Sequence, residues 1–213
     1  MNLAMAVVGT AGAGKTLFCI NFAEYMGAGS LSYSEVSGGN ERRALLSPAG
    51  ARNLMVGRGR RGNGVLRTFT VHLTGPLRRL SLIDTAALPE RDPLPRFERS
   101  RLALTLQAVA GADLILLLID VSCADPAHEE FNERAEGSLA AYCRQQGKLF
   151  LTGGSKADLL KRAPEKHRRR PLYAGANLLL ISSVTGLGFA RVRGLIRGGA
   201  ALSAAGSSRQ VIN

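Results

Sequence analysis

The octapeptide Gly9-Thr10-Ala11-Gly12-Ala13-Gly14-Lys15-Thr16 carries the spacing G-x-x-x-x-G-K-[ST]. The chemistry that needs this spacing is the binding of nucleotide phosphates. Gly9, Gly12 and Gly14 let backbone N–H groups turn toward phosphate oxygens where a Cβ would intrude. Lys15 can reach the β- and γ-phosphates, and the Thr16 hydroxyl can ligate Mg²⁺. The expected phosphate-binding set is Gly9, Ala11, Gly12, Ala13, Gly14, Lys15, Thr16 and Leu17. Further on, Ser81-Leu82-Ile83-Asp84 ends an apolar run in a carboxylate. A phosphate-loop enzyme needs such a residue to hold Mg²⁺, directly or through water, opposite the loop hydroxyl. Thr16 and Asp84 are therefore the expected metal ligands, and Lys15, Thr16 and Asp84 the expected catalytic groups. Taken singly, each segment also has a plain structural reading: a Gly-rich turn for the first, a strand-ending Asp for the second.

These groups can act only if strands and helices bring them together, and the chain alternates the two. Leu3 to Val8 is an unbroken apolar run, as in a buried strand. Lys15 to Met26 reads as a helix with Phe18, Phe22 and Tyr25 on one stripe, closed by Gly27. The helix would present its positive N-terminal end to the phosphates. Val65 to Leu73 and Leu77 to Ile83, separated by Gly75-Pro76, read as a hairpin. A helical stripe follows at Leu102, Leu106 and Val109, then an apolar strand at Asp113 to Asp120. A helix is expected from Pro126 to Gln146, strands at Leu149 to Thr152 and Leu178 to Ser182, and a last helix carrying Phe189, Val192 and Ile196. The segment Ala28 to Gly64 shows no sustained period, and such a stretch reads as a functional or mobile loop. The expected fold is α/β: a three-layer P-loop NTPase sandwich, its six-stranded sheet mostly parallel with one antiparallel edge strand, helices on both faces. One domain is expected over residues 1–198, with 28–64 as a long switch-like loop and 199–213 as a flexible tail.

At Asp84-Thr85-Ala86-Ala87 the chain resembles the translation-factor (TRAFAC) class of P-loop GTPases, whose third motif reads Asp-x-x-Gly; Ala87 takes the glycine's place. Ser155-Lys156-Ala157-Asp158 resembles the base-reading motif of the same class, Asn/Thr-Lys-x-Asp, with Ser155 in place of the usual Asn. Ser182-Ser183-Val184-Thr185-Gly186-Leu187-Gly188 is similar to its last motif, Ser-Ala-x-x-Gly-x-Gly. The resemblance is to small Era/Obg-like bacterial GTP-binding domains and runs from Leu3 to about Arg197. It implies that Asp158 accepts hydrogen bonds from the guanine N1–H and exocyclic amine, that the Lys156 stem lies over the base, and that Ser155, Ser182, Ser183 and Val184 complete the base pocket. A Ser-Lys-x-Asp helix start is the structural alternative, since Ser caps helices well.

Two departures bear on hydrolysis. Ala28 to Gly64 contains no Thr that could close over Mg²⁺ and the γ-phosphate; among its hydroxyls, Ser34, Ser37 and Ser47 are the ones offered in its place. Leu88 stands where some members carry the Gln that orients the attacking water, which an apolar side chain cannot do. The implied protein binds GTP and GDP with Mg²⁺ as cofactor and hydrolyses GTP slowly as a nucleotide-dependent switch. The alternatives are a non-hydrolysing GTP/GDP-binding module and, against the presence of Asp158, an ATP-dependent phosphotransferase.

The bulk composition fits this. A chain of 213 residues with 46% hydrophobic and 21% charged residues can bury a sizeable core. Its formal charge of +12 and pI near 10.6 suit an anionic partner such as RNA, a ribosome or an acidic surface, or equally an Arg-rich solvated surface. Arg58, Arg60 and Arg61 form one basic cluster, and Lys161, Arg162, Lys166, Arg168, Arg169 and Arg170 another, without interleaved aromatics to stack bases. Cys19, Cys123 and Cys143 lack metal-ligand spacing and read as small apolar residues of a reducing compartment. With no signal-like start and no long apolar run, a cytoplasmic location is expected.

Overall fold

The apolar run that opens the chain folds as strand β1, Asn2–Gly9, buried between β5 (Arg79–Asp84) and β6 (Leu114–Asp120) with both partners parallel. The structure is a computed structural model that describes residues 1–37, 40–56, 66–75, 77–89, 94–122, 126–162 and 178–207; the side chains of 37, 126–129, 161–162 and 199–207 are not described. The sheet continues beyond β6 with β7 (Leu149–Ser155) and β8 (Leu178–Leu180), again parallel. Beyond β5 it continues with β4 (Leu66–His72), β2 (Leu31–Ser37) and β3 (Asn40–Leu46), each antiparallel to its neighbour. The strand order is β3-β2-β4-β5-β1-β6-β7-β8. The parallel strands β1, β5, β6, β7 and β8 bring their carboxyl ends to one edge of the sheet, where Gly9, Asp84, Asp120 and Ser155 stand.

Helices cover both faces. On one face α1 (Lys15–Tyr25) and α5 (Phe189–Ser207) close a core of Met5, Val7, Phe18, Phe22, Phe69, Leu80, Leu82, Leu116, Leu118, Val192 and Ile196. The stripe expected on α1 is where it meets α5: Phe18 and Phe22 stack at 5.2 Å, and Phe189 meets both edge-on at 5.5 and 5.3 Å. On the other face α3 (Arg96–Gly111) and α4 (Pro126–Gln145) cover Ala6, Val8, Ile115, Leu117 and Ile119. A shorter helix, α2 (Pro48–Met55), packs on α1, and a 3₁₀ helix spans Ala157–Arg162.

Several expectations need correction. The sheet has eight strands, not six, and both β3 and β4 run antiparallel rather than one edge strand. The additional strands come from Ala28 to Gly64, whose described part is the β2–β3 hairpin and α2 instead of an irregular loop. Their periodicity is faint for a physical reason: β3 is an edge strand exposed along nearly its whole length, so no alternation of apolar side chains is required of it. β7 runs through Gly153-Gly154, where a strand would be expected to stop. A Cβ on these residues would lie 2.6 Å from Ile181 Cδ1 and 2.7 Å from Val121 Cγ1, so glycine keeps this packing without a shift of either side chain. The buried face of α3 is Thr105, Ala108 and Val109, while Leu106 points outward; small side chains let the helix sit close on β1. The last helix continues past Gly198 to Ser207. Cys19 and Cys143 are buried free thiols, as expected, and Cys123 lies outside the described residues. Among the described residues no helix is long and apolar enough to cross a membrane.

Candidate functional site

The loop between β1 and α1 is shaped by two glycines with different duties. At Gly9 (φ 152°) a Cβ would lie 2.4 Å from the Leu118 carbonyl oxygen, so the loop can leave the sheet beside β6 only without a side chain. Gly14 (φ 86°) is the residue that caps α1, in the left-handed region. It offers the helix no side-chain acceptor, and the first turn holds no acidic residue. Among the described residues, the N–H groups of Ala11, Gly12, Gly14, Lys15, Thr16 and Leu17 find no acceptor. An uncapped helix start beside a glycine-rich turn is a concentration of donors suited to an anion. Ala13, buried, instead closes a turn by donating its N–H to the Thr10 carbonyl at 3.4 Å. The buried Lys15 ammonium bridges the loop, donating to the carbonyls of Gly9 at 2.9 Å and Thr10 at 2.7 Å. Burial pushes its pKa down to about 8, against the opposing pull of Asp84.

The structure brings Thr16 and Asp84 together. The Thr16 hydroxyl donates to Asp84 Oδ2 at 2.7 Å, across 68 positions of sequence. Burial raises the Asp84 carboxyl above its ordinary range, although the Thr16 hydrogen bond, Lys15 and Arg67 all favour the charged form. Arg67, the last of these neighbours, belongs to no motif in the sequence. Arg67 stands directly opposite Asp84 in the β4–β5 register, and its Nη1 lies 3.6 Å from Asp84 Oδ2. Its Nε donates to Glu35 Oε2 at 3.1 Å, and Glu35 also accepts from the Tyr33 hydroxyl. Only the register of an antiparallel hairpin could have pointed to Arg67. A hydroxyl and a carboxylate held this way are hard oxygen donors of the kind Mg²⁺ takes from protein, the remainder of its octahedron coming from phosphate and water. Among the described residues no group of three or more His, Cys, Asp or Glu side chains is placed to hold a metal.

The segment after Asp84 is latched to the loop. The Thr85 hydroxyl donates to the Val7 carbonyl at 2.9 Å, and the Leu88 N–H donates to the Gly9 carbonyl at 3.0 Å. The Leu88 side chain packs against the core under α3 and α4, and Ala87 is exposed.

At the β7 and β8 end, Asp158 accepts from the Ser182 hydroxyl at 2.6 Å, so the two segments expected to read a base meet. Ser182 Oγ in turn accepts from the Thr185 N–H at 3.1 Å, while the N–H groups of Ser183 and Val184 find no acceptor among the described residues. Ser155 is buried, and its hydroxyl donates inward to the Ile119 carbonyl at 3.1 Å. Lys156 adopts a left-handed backbone (φ 58°), and its ammonium pairs with Asp120 Oδ2 at 2.5 Å. Two partners were not anticipated: Asp120, and Asn21 on α1, whose Nδ2 donates to the Ser183 carbonyl at 2.6 Å. Asn21 also accepts from Arg52 Nη1 at 3.0 Å, which ties α2 to the same loop. Of the serines offered in place of a switch Thr, Ser47 caps α2 by accepting from the Gly50 N–H at 3.1 Å, and Ser34 lies within β2. Arg58, Arg60, Arg61, Lys166, Arg168, Arg169 and Arg170 lie outside the described residues, as do the side chains of Lys161 and Arg162.

No protein-family model matches the sequence, and no curated protein matches it. The likeness is to solved structures. Era from Aquifex aeolicus bound to GDP and AlF4− superposes with a TM-score of 0.56 at 17% identity, over 92% of this chain and 56% of Era. Era in complex with MgGDPNP and a segment of 16S ribosomal RNA does so with a TM-score of 0.53 at 18% identity, over 92% of this chain and 55% of that one. The G domain of the T. maritima FeoB iron transporter gives 0.54 at 16% identity, over 94% of this chain and 99% of that domain. The chain thus spans little more than half of the Era structures and almost all of an isolated G domain. Its fold is the α/β fold that the Era and FeoB G-domain structures share.

Proposed function

We propose that the chain is a guanine-nucleotide-binding domain that takes GTP and GDP with Mg²⁺ and turns GTP over slowly. The observation that carries the reading is the 2.7 Å hydrogen bond from Thr16 to Asp84, which sets a hydroxyl and a carboxylate in front of an uncapped phosphate loop. The Lys15 ammonium and the N–H groups of Ala11, Gly12, Gly14, Lys15, Thr16 and Leu17 hold phosphate oxygens, while the Ala13 N–H stays in its turn with the Thr10 carbonyl. Thr16 and Asp84 hold the metal, which when bound neutralises charge on the β- and γ-phosphates. Asp158, oriented by Ser182, accepts from the guanine edge, and the N–H groups of Ser183 and Val184 are donors for its carbonyl. Lys156, steered by Asp120, lies over the base. The output is a nucleotide-dependent change in Ala28 to Gly64 and Ala86 to Glu98, read by a partner in the cytoplasm. The +12 charge and the RNA-bound state of the structurally similar Era support RNA or the ribosome as that partner.

A non-hydrolysing binding module is the second reading, and Leu88 favours it: the side chain at the water-orienting position packs into the core. The test is equilibrium binding of GDP, ADP and xanthosine diphosphate to wild type and Asp158→Asn. Guanine preference in wild type, passing to xanthosine by about 10- to 100-fold in the variant, is expected for a lost and re-formed pair of hydrogen bonds. A variant that still prefers guanine would remove Asp158 from the base pocket. Single-turnover GTP hydrolysis then separates the two readings, because no turnover in any buffer leaves only the binding module.

A further inference from the structure

Arg67 is a cation beside a pair of residues fitted for a metal. It is part of β4, opposite Asp84, and held from its other side by Glu35 and Tyr33. Its side chain is 16% exposed, so its charge is little screened by solvent. The oxygen it faces, Asp84 Oδ2, is also the one that receives the Thr16 hydroxyl hydrogen. The formal charges gathered here are Lys15 and Arg67 against Asp84 and Glu35, a balance of zero. Without Arg67 the same pocket would be net negative before a polyanion entered it. A guanidinium remains protonated under all working conditions and sheds water more readily than an ammonium, which suits a half-buried position.

We propose that Arg67 is a tethered counter-cation at the phosphate site, supplying charge that Mg²⁺ would otherwise bring, so that nucleotide affinity depends only weakly on Mg²⁺. The inference rests on the nucleotide-binding reading above. Arg67 neutralises Asp84 when the metal is absent. A carboxylate already partly satisfied by Arg67 would gain correspondingly less from Mg²⁺ held by Thr16 and Asp84.

The test measures the dissociation constant of a fluorescent GDP analogue for the nucleotide-stripped full chain, in excess Mg²⁺ and in EDTA, for wild type, Arg67→Gln and Arg67→Lys. In wild type the two constants should differ by less than about tenfold, a difference of about 1.4 kcal/mol. In Arg67→Gln the ratio should widen by about tenfold or more through loss of affinity in EDTA, and Arg67→Lys should fall between. An unchanged ratio in Arg67→Gln overturns the proposal. So does a wild-type ratio above about a thousandfold, a measurement that does not depend on the variants folding. The same titrations with an ADP analogue keep the two readings apart. Equal binding of ADP and GDP defeats the guanine assignment while the Mg²⁺ ratio still reports on Arg67. Absence of binding by either nucleotide overturns both.

Discussion

Replacing Gly9 or Gly12 with alanine makes the same chemical change in one loop, yet the structure assigns the two sites different consequences. At Gly9 the new methyl would sit 2.4 Å from the Leu118 carbonyl oxygen and 3.3 Å from Ala13 Cβ, and neither neighbour is a flexible side-chain end. The loop or β6 must retreat by about 1 Å to reach ordinary contact, an overpacking that costs about 1–3 kcal/mol. The backbone at φ 152° adds about 1–3 kcal/mol for any residue with a Cβ. Reduced freedom of the unfolded chain returns only about 0.4–1 kcal/mol. The net is about 3 kcal/mol, a drop of roughly 6–12 °C in Tm for a domain of this size. At Gly12 (φ 77°) nothing lies within 4 Å of the added methyl. Its cost is the left-handed backbone alone, about 1–2 kcal/mol before the same entropic return, or roughly 0–6 °C. Thermal and urea unfolding followed by circular dichroism measure both variants. Gly12→Ala should show its main effect in phosphate binding, since it sits among the unpaired amides, and Gly9→Ala in stability. A Gly9→Ala protein melting within about 2 °C of wild type, or a Gly12→Ala protein losing as much as Gly9→Ala, would refute the argument from close approach.

Other outcomes follow from the same geometry. Single-turnover GTP hydrolysis should be slow in Na⁺ and K⁺ alike unless a partner is added, because Leu88 orients no water; rapid turnover by the chain alone would contradict that placement. At Glu35, burial alone would raise the carboxyl, but the Tyr33 hydroxyl and the Arg67 guanidinium outweigh it and hold the pKa below its ordinary 4.5. A depressed folded-state pKa contributes stability that is present above 4.5 and lost as pH falls through the folded value. Glu35→Gln should therefore flatten the acid limb of the melting-temperature profile below that pH, and an unchanged limb would exclude the residue. Asn21→Ala removes the bond to the Ser183 carbonyl and the acceptor for Arg52. A loss of about 1 kcal/mol in stability, with a weaker grip on the guanine base than on the phosphates, is expected in paired GDP and inorganic-phosphate titrations.

Two juxtapositions at the candidate site join residues that the sequence motifs name. Thr16 and Asp84 are named by motif and do meet at 2.7 Å; Asp158 and Ser182 are named by motif and meet at 2.6 Å. Such motifs are legible because each is a short run whose residue types are set by local backbone needs and by the ligand's chemistry. The apolar strands β1 and β6 were legible too, since burial on both faces forbids polar interruptions. The β2–β3 hairpin was not. Half of it is a solvated edge, and its pairing depends on β4, which is not adjacent in sequence. The end of β7 was hidden for the opposite reason: Gly153 and Gly154 look like breakers until Ile181 and Val121 are seen filling the space above them.

The sequence by itself determined the glycine-rich loop after β1, the order of the motifs and the alternation that carries them to one sheet edge. Each of these depends on neighbours a few residues apart. Tertiary structure alone decided which charges share the site. Arg67, Glu35 and Asn21 belong to no motif, and each reaches its partner across tens or hundreds of residues through strand register or helix packing. Coulomb energy depends on distance in space, and the sequence does not display that distance until the sheet has closed.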